Sequence, residues 1–184
     1  GMDVRSCNGL PALPERDALP SFGALETLTA EVLVIGGGPA GINAALELGA
    51  LGVDTLLVDD KHELGGKLTL QTHPFFGSRD DCYAGIRGIE IARILTAQLE
   101  ESSSVRVVTG TTVVGAFEDG AVGMYGTRGY VLVRPRAVLV ACGARERGLA
   151  FPGCDLPGVY GAGAFQTLLN RDMVIPAERL FIVG

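Results

Sequence analysis

The chain has 184 residues, of which 47% are hydrophobic and 20% charged, and its formal net charge is −6. That length allows one substantial core, or one domain plus part of another. Acidity with scattered Lys and Arg argues against a nucleic-acid surface, and four cysteines (Cys7, Cys82, Cys142, Cys154) without CxxC or CxxxxC spacing give no support to a zinc or iron–sulfur site.

In chain order, residues 1–29 carry Pro11, Pro14 and Pro20 with little periodicity and read as an extended lead-in, from which Gly1, ahead of Met2, is set aside as a residue of tag removal. Val32–Ile35 is a continuous apolar run, as expected of a strand covered on both faces. The turn Gly36-Gly37-Gly38-Pro39-Ala40-Gly41 follows, then a helix with Ile42, Ala45, Leu46 and Gly49 on one face, ended by Gly52. Thr55–Val58 is a second strand closing on Asp59. Glu47, Asp54 and the glycine turn interrupt the apolar stretch 30–58, so no membrane span is expected, and the absence of a secretory h-region makes a reduced, cytoplasmic setting the default.

Residues 60–83 are irregular, with breakers at Gly65-Gly66, Pro74 and Gly77. The periodicity predicts an amphipathic helix over Tyr83–Glu101 and a third strand at Val105–Val108. Thr112–Phe117, Val122–Tyr125 and Tyr130–Arg134 are short strands spaced too closely for helical connections, hence an antiparallel meander. Ala137–Ala141 is expected to return as another buried strand. A Pro- and Gly-rich connector, a short helix over Gly161–Asn170 and a last strand at Leu180–Val183 complete the chain.

Gly36-x-Gly38-x-x-Gly41 between a strand and a helix is the pattern that binds a dinucleotide pyrophosphate. Gly36 takes the backbone angles of the tight turn, Gly38 lets the phosphate approach the main chain, and Gly41 lets helix and strand pack. The phosphate charge then meets the N-terminal N–H groups of the helix. Asp59 stands where a carboxylate accepts hydrogen bonds from ribose hydroxyls, which disfavours a 2′-phosphate. These residues leave FAD and NAD both open.

The segments "VLVIGGGPAGINAALELGALGVDTLLVDD", "LGGKL" and "AVLVACGARER" resemble the flavoprotein disulfide-reductase superfamily with two dinucleotide-binding domains. The stretch "ACGARERGLAFPGCDLPGVYGAGAFQTLLNRD" is similar to the FAD/NAD subunits of sarcosine oxidase alpha, opine oxidase, hydrogen cyanide synthase and dye-linked proline dehydrogenase. The resemblance covers roughly residues 30–184. It implies an α/β fold: a Rossmann-like FAD-binding domain with a parallel sheet and an antiparallel β-meander crossover. It also implies FAD at the first site. Gly36, Gly38, Pro39, Ala40 and Gly41 would then hold the pyrophosphate, Asp59 the adenosine ribose, and Gly65, Gly66 and Lys67 would lie along the nucleotide. The backbone of Val113 would lie near the adenine, and Cys142 and Gly143 would form the closing turn, with Cys142 where the superfamily usually has threonine.

A flavin does its own redox chemistry, so the protein mainly binds and orients it. "QTHPFFG" follows the Gly-Gly pair where relatives approach the flavin ring: Gln71 or Thr72 could hydrogen-bond its edge, Phe75 or Phe76 could pack on it, and His73 could relay a proton. An ordinary loop role is the alternative for His73, as it is for Lys67. "KLTLQT" lacks the cysteine pair of disulfide reductases, so the cysteines are expected to be small buried apolar residues.

The expected domains are a lead-in (1–29), the FAD-binding domain (30–150), a connector with a short helix (151–176) and the first strand of a second, NAD-type domain (177–184). Leu180–Gly184 echoes the first strand and its first glycine, so the expectation is a truncated chain in which NAD belongs only to a complete parent. The functional expectation is the FAD-binding portion of an amine- or imino-acid-oxidising subunit, inactive alone. The alternatives are a non-catalytic FAD-carrying electron-transfer or assembly subunit, and an inert fragment without flavin. A partner subunit of a heteromeric oxidase or dehydrogenase follows from the resemblance. An unfinished sheet edge is a reason to expect self-association.

Overall fold

A computed structural model describes residues 25–183; the lead-in up to residue 24, including Cys7, and the terminal Gly184 lie outside them. Six strands form one sheet: β1 (Glu26–Ile35), β2 (Thr55–Val58), β3 (Val105–Val108), β4 (Thr112–Ala116), β5 (Val122–Gly126) and β6 (Gly129–Val140), in the order β3-β2-β1-β6-β5-β4. β1 is parallel to β2 and β6, and β2 to β3, whereas β4, β5 and β6 pair antiparallel. The helices are α1 (Pro39–Ala50), α2 (Arg79–Cys82), α3 (Gly88–Glu100) and α4 (Ala162–Asn170), and a 3-10 turn spans Gly66–Leu70.

The alternation of side chains along β1 divides the core in two. Val34 and Leu57 face α1 and α3, where Ile42, Ala45, Ile91, Leu95 and Leu99 close one cluster. Leu33, Leu56 and Val58 face the other way and are covered by Val122, Met124, Val131 and Val133 of the meander. All four residues of β2 are buried: Leu56, Leu57 and Val58 are apolar, and Thr55 donates its hydroxyl to the Val53 carbonyl at 3.0 Å. A Cβ on Gly49 would stand 2.5 Å from the Ser102 Oγ, so the small residue lets α1 lie against the segment entering β3.

Several expectations need correcting. β1 begins at Glu26 rather than Val32, because Glu26–Ala30 pairs in register with Val131–Pro135. The helix expected over 83–101 begins only at Gly88: Tyr83 is left-handed (φ 55°), Gly85 has φ 90°, and a Cβ at Gly88 would lie 2.6 Å from Gln71 Cβ. Tyr130–Arg134 and Ala137–Ala141 are not two strands but one, β6. Pro135 causes no break because the β5 ladder has already ended at Val133, leaving that side without need of its N–H. Nor is the far half of β6 buried. Beyond Val133 it is flanked only by β1, and Val138–Val140 are exposed. Leu180–Val183 forms no strand, since it makes no ladder with any described strand, and all four side chains are exposed. Cys82, Cys142 and Cys154 are free and exposed rather than buried, because each lies where the chain leaves a regular element or in the irregular connector.

Candidate functional site

The site forms where β1 passes into α1. Gly36 is left-handed (φ 108°), its N–H donates to the Val58 carbonyl at 2.8 Å, and a Cβ there would lie 2.5 Å from the Ala141 carbonyl oxygen. A Cβ on Gly41 would collide with the Gly36 carbonyl, so this glycine sets the helix-to-strand approach. Gly38 differs. Its backbone is extended (φ −77°, ψ −178°), and the nearest atom to a built Cβ is Gly66 Cα at 3.9 Å. Nothing inside the protein requires a glycine at that position. The open space above it lies at the N-terminus of α1, which no side chain caps, leaving the first N–H groups for an outside acceptor. A phosphate fits that cradle.

Asp59 leaves β2 half-buried beside the turn. Its Oδ2 accepts the Gly37 N–H at 2.6 Å and its Oδ1 the Lys61 N–H at 2.8 Å, so the carboxylate is held in one orientation with lone pairs to spare. The loop after β3 closes this side, with the Thr111 N–H donating to the Asp59 carbonyl at 2.9 Å. Val113, two residues on, is half-buried against the second core cluster and pairs with Met124. The Gly-Gly pair meets the phosphate turn directly: the Gly65 N–H donates to the Gly37 carbonyl at 2.7 Å, and a Cβ on Gly66 would be 2.9 Å from Gly38 Cα. Lys67 is the second residue of the 3-10 turn, is exposed, and makes no ion pair among the described residues. On the third side the Ala141 N–H donates to the Ile35 carbonyl at 2.7 Å, the Cys142 Sγ lies 3.6 Å from the same oxygen, and Gly143 is left-handed (φ 71°).

Alongside α1, under residues 71–83, lies a pocket of about 510 Å³ bordered by Pro39, Asn43, Leu68, Gln71, His73, Phe75 and Tyr83, with Ile91 and Leu95 beneath. His73 and Phe75 are stacked, with centroids 5.8 Å apart and an interplanar angle of 7°. The Gln71 Oε1 is buried without a hydrogen-bond partner. Asn43, Asp81 and Tyr83 escaped the sequence reading as site residues. Among the described residues no cluster of His, Cys, Asp or Glu is placed to hold a metal, and no helix is long and apolar enough to cross a membrane.

A protein-family model described as FAD dependent oxidoreductase matches residues 31–123, which spans the phosphate turn, Asp59, the Gly-Gly pair and the start of the meander. The chain belongs to the FAD dependent oxidoreductase family. The chain is 30% identical to the alpha subunit of sarcosine oxidase from Corynebacterium sp. (strain U-96), over 93% of this chain but 18% of the relative. It is 31% identical to the subunit called opine oxidase A in Rhizobium meliloti (strain 1021), over 84% of this chain and 33% of the relative. Among solved structures it is similar to L-proline dehydrogenase from P. horikoshii, with a TM-score of 0.72 and 26% identity, over 84% of this chain and 31% of that one. The chain therefore spans a third or less of the length of these relatives.

Proposed function

We propose that this chain is the FAD-binding portion of an oxidoreductase subunit of the amine- or imino-acid-oxidising type. The observation that carries this reading is Gly38: it is a glycine without an internal reason, placed over an uncapped helix N-terminus and touching a second glycine pair. Bound FAD would supply the two-electron redox chemistry.

The residues then divide the work of binding. The N–H groups of Ala40 and Gly41, with Pro39 presetting the first turn, receive the pyrophosphate, and Gly36 and Gly38 let it come close. Asp59, oriented by two backbone N–H groups, accepts from the adenosine ribose, and its charge repels a 2′-phosphate. Gly65 and Gly66 keep the opposite wall flat, Lys67 offers a cation toward the phosphates, and the Val113 backbone borders the adenine. Cys142 and Gly143 close the turn behind Gly36. The relatives' names support a partner, because the sarcosine oxidase and opine oxidase chains are both named as subunits.

Purified protein mixed with FAD and passed through a desalting column tests the reading. Flavin absorbance near ~450 nm that co-elutes with the protein is the expected result. Elution of all the flavin apart from the protein, together with no quenching of its fluorescence on titration, would sink the proposal.

A further inference from the structure

Residues 146–183 are joined to the sheet domain at one atom. Gln166 Nε2 donates to the Leu70 carbonyl at 3.4 Å, and Asn170 Nδ2 donates to the same oxygen at 2.7 Å. Among the described residues no other hydrogen bond and no ion pair links residues 146–183 to residues 25–140. The two amides lie four residues apart and so project from one face of α4. A carbonyl oxygen carries two lone pairs, and this one helix fills both at Leu70. No side chain of α4 is buried at the joint.

The ends of α4 are closed by its own stretch of chain. The Glu146 carboxylate accepts the Ala162 and Gly163 N–H groups at 2.8 and 2.9 Å, and a Cβ on Gly161 would stand 2.3 Å from Glu146 Oε2, so that glycine makes room for the carboxylate. Past the helix, the Asp172 N–H returns to the Thr167 carbonyl at 3.1 Å and the Val174 N–H to the Leu168 carbonyl at 2.8 Å, around left-handed Met173 (φ 56°). A helix this short is marginal without such closures. With them, α4 is a unit whose attachment to Leu70 can be made or broken on its own. An element anchored on one acceptor, with no buried apolar residue, belongs to the low-stability end of a fold.

The anchor is the far end of the element that presses on the phosphate turn. Leu70 ends the 3-10 turn, and Gly66 begins it with a built Cβ only 2.9 Å from Gly38 Cα. Just before it, the Gly65 N–H is bonded to the Gly37 carbonyl at 2.7 Å. Within the turn the Leu68 N–H donates to the Gly65 carbonyl and the Gln71 N–H to the Leu68 carbonyl, each at 3.0 Å, and the Thr69 hydroxyl donates to the Gly66 carbonyl at 2.9 Å. A turn tied in this way moves as one piece, so a displacement at Leu70 reaches Gly66 about 8 Å away, at ~2 Å of rise per residue.

We propose that α4 is a latch on the dinucleotide cradle, with Asn170 and Gln166 as positioning residues that hold the 3-10 turn against the phosphate turn. A docked α4 fixes the wall opposite Gly38, so docking and binding of a pyrophosphate favour each other, and by linkage each strengthens the other by the same factor. The inference rests on the dinucleotide reading above.

The test uses the full chain with FAD as the probe. FAD affinity is measured by fluorescence quenching, and solvent exchange of the Asn170 side-chain amide by NMR, with and without saturating FAD. Asn170→Asp keeps the shape but loses the donor; it should weaken FAD about fivefold or more and leave the urea midpoint of the unliganded protein unchanged. Gln166→Ala removes the longer bond and should cost about twofold. Asn170→His restores an N–H donor and should recover most of the affinity. In the parent, FAD should slow exchange of the Asn170 amide by about the factor that Asn170→Asp costs in affinity. If Asn170→Asp binds FAD as the parent does, or if FAD leaves the exchange of the Asn170 amide unchanged, the latch fails while the dinucleotide site stands. If the parent does not bind FAD, both readings fall.

Discussion

Residues 26–140 and residues 141–183 are both rich in large apolar side chains, yet the two regions dispose of them in opposite ways. In the first, Leu33, Ile42, Leu57 and Val133 are completely buried, because two helices cover one face of the sheet and the meander covers the other. In the second, Met173, Ile175, Phe181 and Ile182 are more than 80% exposed, and α4 buries no residue. What holds α4 is polar. Gln166 and Asn170 donate to the Leu70 carbonyl at 3.4 and 2.7 Å, and the Glu146 carboxylate accepts the Ala162 and Gly163 N–H groups at its N-terminus at 2.8 and 2.9 Å. Apolar composition alone therefore does not make a core. An element must be paired or covered on the face that carries the apolar residues.

The sharpest way to break this contrast is to delete side chains on each side of it. Leu33→Ala should cost about 2–5 kcal/mol in urea unfolding, since a fully buried leucine leaves a cavity. Phe181→Ala should fall within about 0.5 kcal/mol of the parent. Equal costs would mean that the second region is packed after all.

Next comes a separation within the phosphate turn. Gly38→Ala should leave the unfolding midpoint unchanged, because its Cβ meets nothing closer than 3.9 Å, while FAD affinity drops tenfold or more. Gly41→Ala should destabilise the fold itself by about 1–3 kcal/mol through its clash with the Gly36 carbonyl. A stability loss at Gly38 as large as that at Gly41 would remove the case that its glycine serves a ligand.

A smaller effect is expected in solution behaviour. The exposed apolar surface of 141–183 predicts concentration-dependent self-association, weakened several-fold by Phe181→Ser with Ile182→Ser. Sedimentation that is monomeric at all concentrations in the parent would contradict it. The smallest effect concerns Asp119, whose carboxyl is held below the usual Asp range by the Ala121 N–H and then by Arg134. A lowered folded-state pKa contributes stability above the unfolded-state value, and that contribution is lost as the pH falls through the folded one. Because Asp119 is at the surface, Asp119→Asn should barely flatten the acid limb of the stability profile, and an NMR titration of its carboxyl should show the lowered midpoint.

The local grammar of residues 32–59 was legible without any structure. An apolar run, three spaced glycines, an amphipathic helix and a terminal Asp59 constrain backbone angles and side-chain faces over short distances, and the fold uses them as expected. The meander was legible for the same reason, since its turns are too short for anything but antiparallel pairing. Tertiary structure alone decided the rest. That β6 runs unbroken through Pro135 depends on where β5 ends, and that Ile86 belongs to a loop rather than a helix depends on a bond to Phe75. The orphaned oxygen of Gln71 and the exposure of Cys82, Cys142 and Leu180–Val183 depend on which elements come to lie beside them. Propensity and periodicity act within a few residues of a chain, whereas burial and pairing are properties of neighbours brought together from far along it.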